Sequence, residues 1–272
     1  MKLELYKSVW GMTEPTLREK LARIREAGYD GVEAPIPESE EERNELAALA
    51  REFQLHYIAQ IQVQGPTAAD DFARKAKQAV EMGAVLLNSH TGRDTLDDGA
   101  RKALFDAVTA CQETLSIPVC HETHRSRPTF APWTAKALTD AYPTLRLTAD
   151  FSHYCCVCES LLADQEETMD ALCRRAGLIH ARVGFPGGPQ VPDPAAPEYA
   201  EALAAHEAWW KKIAAYRAAD GEKVLRVTVE YGPYPYMHHQ PYTDQPVADL
   251  WELCLWGKKR FEALFASLPF AE

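Results

Sequence analysis

Four apolar, strand-like segments from residue 117 onward each carry a side chain able to ligate a cation. Ile117–Thr123 carries Glu122, Leu145–Asp150 ends on Asp150, Leu178–Val183 carries His180, and Val224–Glu230 ends on Glu230. A carboxylate at the end of a buried strand must be paired or bind metal, because an isolated charge out of water is costly. Three carboxylates brought together repel one another unless a cation lies between them. An O,O,N,O donor set suits one divalent ion, Mn2+, Mg2+ or Co2+, with Zn2+ also compatible. Each residue alone has an ordinary reading as a satisfied polar group; the case for a site rests on the four together.

Their neighbours sharpen the picture. Strand alternation puts Cys120, Glu122 and His124 on one face and turns His121 to the other, where it packs between strand and helix. His180 and Arg182 share a face, so Arg182 reaches the same mouth and can hold a hydroxyl, a carboxylate or a phosphate; its bland alternative is a salt bridge to Glu122 or Glu230. Asp150 is followed three residues later by His153, and earlier strands end in Glu33, Gln62 and His90. Trp10, at the end of strand one, is placed to stack on an apolar ligand face, and Trp133 to close the top from the loop after strand five; packing is the ordinary alternative for both. Tyr234, Tyr236, His238 and His239 lie in the loop after strand eight. The basic trio His124, Arg125 and Arg127 is isolated in an acidic chain, so it reads as facing a substrate or a carboxylate and not nucleic acid.

These residues need a frame of strands. Leu3–Trp10 reads as strand one, followed by a helix opened by Thr13-Glu14-Pro15 and closed by Gly28. Tyr29–Ile36, Leu55–Val63 and Val85–Ser89 read as strands two to four. One helix runs from the capping box Ser39-x-x-Glu42 to Phe53, another from a cap at Thr67-x-x-Asp70 to near Gly83. Helices Thr95–Leu115, Trp133–Tyr142, Ser160–Ala176 (closed by Gly177), Glu198–Ala219 and Asp244–Leu268 alternate with the four strands above, and a Gly/Pro-rich loop spans Gly184–Pro197. Alternating units about 30 residues long imply a parallel sheet. Eight of them imply an α/β fold of the (β/α)8 TIM-barrel type, read as a single domain over residues 1–272. An open doubly wound sheet would usually show a Gly-rich turn after strand one, and Trp10-Gly11-Met12-Thr13 is not one. In a barrel, all four strand ends face one mouth.

Composition narrows the function. The 272 residues carry a net charge of −11, which excludes non-specific nucleic-acid binding and attraction to anionic membranes. An acidic surface still permits small neutral or anionic substrates where a local Arg supplies the contact, and a homo-oligomer is open to such a chain. No apolar run approaches the ~20 residues of a membrane span. Met1 leads into a strand without the basic and apolar regions of a signal peptide, so the expected compartment is the cytoplasm. Seven cysteines, an odd number inside periodic segments, read as reduced thiols. Cys155-Cys156-x-Cys158 lacks a second ligand pair and reads as small buried hydrophobes.

Glu at strand five, Asp-x-x-His at strand six, His at strand seven and Glu at strand eight resemble the xylose-isomerase-like TIM-barrel superfamily. The pattern is most similar to its sugar isomerase/epimerase branch, which includes the ketose 3-epimerases. The resemblance covers nearly the whole chain in strand order. It implies that Glu122, Asp150, His180 and Glu230 bind one divalent metal, and that Glu122 and Glu230 double as acid/base groups on opposite sides of a sugar carbon. It also implies that His153 and Arg182 hold substrate oxygens; His124, Trp10 and His90 are further candidate substrate contacts by their own positions at strand ends. The reaction implied is isomerisation or epimerisation by proton transfer next to a carbonyl through a metal-stabilised enediolate. Two departures stand out: Arg182 follows the strand-seven His by only two positions, and the run His124-Arg125-x-Arg127 has no counterpart in those enzymes. The same parts serve a lyase acting on 3-keto-glycosides, or a non-catalytic sugar-binding barrel. The endonuclease IV branch, with three zinc ions, matches less well: Gly184–Gln190 has no Asp-x-His, and Ile61-Gln62-Val63 has no His.

Overall fold

Alternation along each strand decides which side chains fill a barrel and which meet its helices. In the computed structural model, which describes residues 1–271, the strands are β1 (Lys2–Ser8), β2 (Gly31–Pro35), β3 (His56–Val63), β4 (Leu86–Thr91), β5 (Val119–Glu122), β6 (Arg146–Ala149), β7 (Ala176–His180) and β8 (Val224–Val229). Each pairs in parallel with the next, and β8 pairs with β1, so the sheet closes. The helices are α1 (Leu17–Glu26), α2 (Glu40–Glu52), α3 (Ala68–Glu81), α4 (Asp98–Gln112), α5 (Pro132–Ala141), α6 (Ser152–Val157), α7 (Glu166–Arg175), α8 (Ala200–Ala219) and α9 (Leu250–Ala266). The (β/α)8 barrel read from the sequence is the fold observed. Among the described residues, no helix is long and apolar enough to cross a membrane. All seven cysteines are free.

The two faces of the strands build two cores. Outward residues such as Val32, Ile61, Leu87, Leu147 and Val227 pack against the helices in one large cluster. Inward, Tyr6, Ile58, Leu86, Cys120 and Leu178 form a small separate cluster that fills the lower lumen. Tyr6 fits there because Gly31 faces it: a Cβ on Gly31 would lie 2.3 Å from the Tyr6 ring. The Tyr6 hydroxyl donates to Glu4 Oε2 at 2.8 Å, which satisfies its polar tip within the barrel. With the lower lumen plugged, the next inward positions toward the C-terminal strand ends turn polar: Glu33, Asn88, Thr148 and Thr228, all buried.

The structure moves several element ends. Helix α1 is capped by Thr16, which forms a capping box with Glu19; Thr13-Glu14-Pro15 lies before it. Ser39 does cap α2, accepting from the Glu42 N–H. Thr67 makes no cap bond to α3; its hydroxyl donates to Asp71 at 2.8 Å. The helix expected over Ser160–Ala176 is shortened to α7, and an additional short helix, α6, precedes it. Helix α6 starts directly after Asp150, Leu162 adopts φ 61°, and α7 begins only at Glu166. Gly177 is not a helix stop but part of β7, where a Cβ would lie 2.8 Å from Cys120 Sγ. Helix α9 starts at Leu250, capped by Asp249, so residues 244–249 belong to the preceding loop.

Candidate metal centre and active-site cavity

Barrel closure brings the four strand-end residues together. Glu122 ends β5, His180 ends β7, and Asp150 and Glu230 directly follow β6 and β8; all four are buried. His180 is the hinge of the group. Its Nε2 lies 3.0 Å and 3.2 Å from the two oxygens of Glu33 on β2. Its Nδ1 has no hydrogen-bond partner and sits 3.3 Å from Glu230 Oε2 and 3.7 Å from Glu122 Oε2. Glu33 is itself fixed, accepting from Asn88 Nδ2 at 2.7 Å and Thr228 Oγ1 at 2.6 Å. A carboxylate behind an imidazole places the proton on the nitrogen it touches and turns the other nitrogen's lone pair outward. Here that lone pair faces two more carboxylates.

Three overlapping triads have donor atoms within 4.8 Å of one another: Asp150, His180 and Glu230; Glu122, Asp150 and His153; and His90, Glu122 and His124. An unpartnered buried imidazole nitrogen among three carboxylates fits a divalent cation by donor chemistry and by orientation. Arg182 enters the same cluster. Its Nη2 donates to Asp150 and, at 2.7 Å, to His153 Nε2, its Nε donates to Ser152 Oγ at 3.1 Å, and Nη1 lies 3.4 Å from Glu230. Ser152 Oγ also donates to Asp150. Asp150 is thus shared between Arg182 and any bound metal, which the several acceptor sites of a carboxylate permit.

Charge is tightly interlocked. Burial raises the Glu122 carboxyl, but His90 and His180 outweigh it and hold Glu122 well below the usual carboxylate range. Burial likewise opposes ionisation of Glu230, and His180 and Arg182 reverse the balance and lower it. Asp150 goes the other way: burial, with Glu122 and Glu230 adding to it, pushes it up to about 6 against the pull of Arg182. His180 is raised well above its ordinary value, because Glu33, Glu230 and Glu122 overcome the effect of burial. His153 is depressed by burial and by His124 and Arg182.

Above the cluster opens a cavity of about 360 Å³, of the size that takes a small ligand. Glu122, Glu230, Arg182, His90, His124 and Trp10 all line it. His90 Nε2 lies 2.8 Å from Glu122 Oε2. Asp150, His180 and His153 lie beneath this lining, so His153 contacts Arg182 and Asp150 and stacks near His124, with ring centroids 4.0 Å apart. Tyr236 closes one wall, edge-on to Trp10 at 5.0 Å. Trp133 is not at the mouth: it stands in the first turn of α5 and lines a surface cavity beside Arg101 and Lys102 of α4. Tyr234 and His239 border a neighbouring cavity that shares Trp10 with this one. His121 packs outside the barrel, as alternation requires, between Thr91 and Gln112.

Glu33 and Asn88 are the site residues that strand-end reasoning undervalued. Asn88 Nδ2 bridges Glu33 at 2.7 Å and Glu122 at 2.9 Å, and its Oδ1 accepts from Thr148 at 2.7 Å. It sits two residues before His90, so alternation places it on the same face one layer down.

Fold and site together define a closed α/β barrel with a carboxylate–imidazole cluster at its C-terminal mouth. The family model of the xylose isomerase-like TIM barrel matches residues 21–229, and the chain belongs to that family. No curated protein gives a significant match to the sequence. Among solved structures, apo 3-keto-D-glucoside 4-epimerase from E. coli is similar at 13% identity and a TM-score of 0.62, over 96% of this chain and 99% of that one. A D-tagatose 3-epimerase-like protein is similar at 10% identity and a TM-score of 0.63, over 97% of each chain. Endonuclease IV from Thermus thermophilus is similar at 13% identity and a TM-score of 0.61, over 98% of this chain and 100% of that one. At such identities the likeness is one of fold.

Proposed function

We propose that the chain is a divalent-metal-dependent sugar isomerase or epimerase that moves a proton at a carbon next to a carbonyl. The observation that carries this reading is the His180 Nδ1, buried, without a hydrogen-bond partner and facing both Glu122 and Glu230. Glu122, Asp150, His180 and Glu230 would hold the ion, which when bound polarises a carbonyl and acidifies the neighbouring C–H. Glu122 and Glu230 come from strands on different sides of the cavity, as exchange of a proton between two faces of one carbon requires. Glu230 takes the proton and Glu122 returns one, or the reverse. Arg182 holds a sugar oxygen beside Glu230, and His153 keeps Arg182 in place from below. Trp10 and Tyr236 supply the apolar wall against which a sugar face packs.

Solvent-deuterium incorporation into a panel of ketoses and 3-keto-glucosides tests this. Exchange that needs added divalent metal and disappears in Glu230→Gln is expected; metal binding with no exchange on any member ends the proton-transfer reading for that panel. Elimination of the 3-keto-glycoside aglycone would identify the lyase form of the same chemistry. The three overlapping triads support one second reading, a multi-metal phosphodiesterase of the endonuclease IV kind. About one ion per chain favours the sugar enzyme, and about three favour the phosphodiesterase.

A further inference from the structure

The basic run after β5 has two candidate partners, a carboxylate of the chain or one belonging to a ligand. Arg127 is only 4% exposed and lines the same cavity as Glu122 and Glu230. Its Nη1 donates to Gly92 O at 3.0 Å and to Gln64 Oε1 at 3.4 Å, which fixes the plane of the guanidinium. Its Nε–H has no hydrogen-bond partner. Among the described residues no Asp or Glu forms a salt bridge with it, whereas Arg182 in the same cavity has Asp150 and Glu230. Arg125 nearby likewise has no carboxylate partner among them and lies over the Tyr236 ring, 4.9 Å from its centroid. A buried cation without a counter-charge is costly, and a buried N–H without an acceptor adds to that cost. In a chain of net charge −11, Glu122 and Asp94 act on it only from a distance, and no carboxylate comes within salt-bridge reach.

We propose that Arg127 is an oxyanion subsite: the sugar handled by this cavity carries a carboxylate or a phosphate, which pairs with the Arg127 guanidinium where it lines the cavity. The guanidinium fork matches either group. The cavity is then two-sided. Glu122 and Glu230 would address the carbonyl end, and Arg127, held by Gln64 and Gly92, the acidic end. This inference rests on the sugar reading above and adds the class of sugar to it.

The test is calorimetric binding of D-fructose, D-fructose 6-phosphate and D-fructuronate to the metal-loaded protein. One of the two anionic ketoses is expected to bind about 10- to 100-fold tighter than fructose, and which one does so tells phosphate from carboxylate. Arg127→Gln should abolish that preference, and Arg127→Lys should retain part of it. Equal affinity for all three ketoses overturns the proposal, as does an R127Q protein with normal melting and metal content that keeps the preference. If R127Q does not fold, the wild-type comparison and R127K decide. Deuterium exchange into each of the three ketoses is read in parallel. Exchange without an anion preference sinks this inference and leaves the proton-transfer reading standing; an anion preference without exchange does the converse.

Discussion

Two pairs of histidines are equally buried in this barrel and are held in opposite ways. His121 and His206 lie in the layer between strands and helices, and every ring nitrogen has a partner. His121 Nε2 faces Gln112 Oε1 at 3.2 Å and Nδ1 faces Thr91 Oγ1 at 2.8 Å. His206 Nδ1 donates to Ala202 O at 2.8 Å, and Nε2 accepts from the Gly184 N–H at 3.2 Å. His180 and His153 lie at the mouth, and each leaves Nδ1 unpartnered. Burial lowers both outer histidines to about 4, while the carboxylates around His180 drive it in the other direction. Stable packing satisfies its buried polar groups. The open His180 nitrogen among carboxylates is therefore not explained by packing, and it marks where the molecule spends stability on chemistry.

The comparison breaks most easily at the mouth. Glu230→Gln should slow exchange about 10²- to 10⁴-fold with little change in melting, measured by deuterium incorporation beside a thermal scan. A variant within tenfold of wild type would remove Glu230 as an acid/base group. Glu33→Gln tests the carboxylate behind His180 and should weaken divalent-metal affinity about 10- to 100-fold by calorimetry. Undiminished affinity would make Glu33 a packing partner of the same kind as Gln112.

How much of this was legible in the sequence differs between the two regions. Strand order, closure and the inward face of each strand follow from alternation, so Glu122, Asp150, His180 and Glu230 could be assigned to one mouth, and His121 to the outside. What alternation does not give is height along the barrel axis or which ends meet across the lumen. The pairing of Glu33 with His180 spans 147 residues and exists only because the barrel closes. Asn88 carries no charge, so nothing local distinguishes it from a tolerated strand polar residue. The substrate role of His153 comes from the family resemblance, which carries no information on its burial. Helix α6 begins at Ser152, and that turn draws His153 down beside Asp150 and Arg182. Trp133 went astray for a related reason: Pro132 opens α5 one residue before it, and the ring follows the helix outward.

Smaller effects are expected in the outer layer. His121→Ala leaves Thr91 and Gln112 without their partner and opens a gap beside Phe72 and Phe105. A loss of roughly 2–4 kcal/mol in urea unfolding is expected, with the exchange rate per folded molecule unchanged. Loss of activity at unchanged stability would mean that the outer layer is not merely structural.

The weakest and most specific difference is in pH. With a folded pKa of about 4, His206 stays neutral in the native state, while in the unfolded chain it takes up a proton near its ordinary value of about 6.5. The unfolded state then binds more protons between those two values. The stability contributed by the neutral ring is complete above pH 6.5 and is lost as pH falls toward 4, by about 1.4 kcal/mol per pH unit. His206→Gln should therefore lower stability at pH 7 but flatten its dependence between pH 6.5 and 4.5, read from urea midpoints. His121→Gln should flatten it less. The partners hold the two rings in opposite tautomers. A new proton on His206 meets the Gly184 N–H, which cannot turn away, whereas a new proton on His121 meets the Thr91 hydroxyl, which can reverse. Equal slopes in wild type and His206→Gln would show that the ring does not titrate against Gly184.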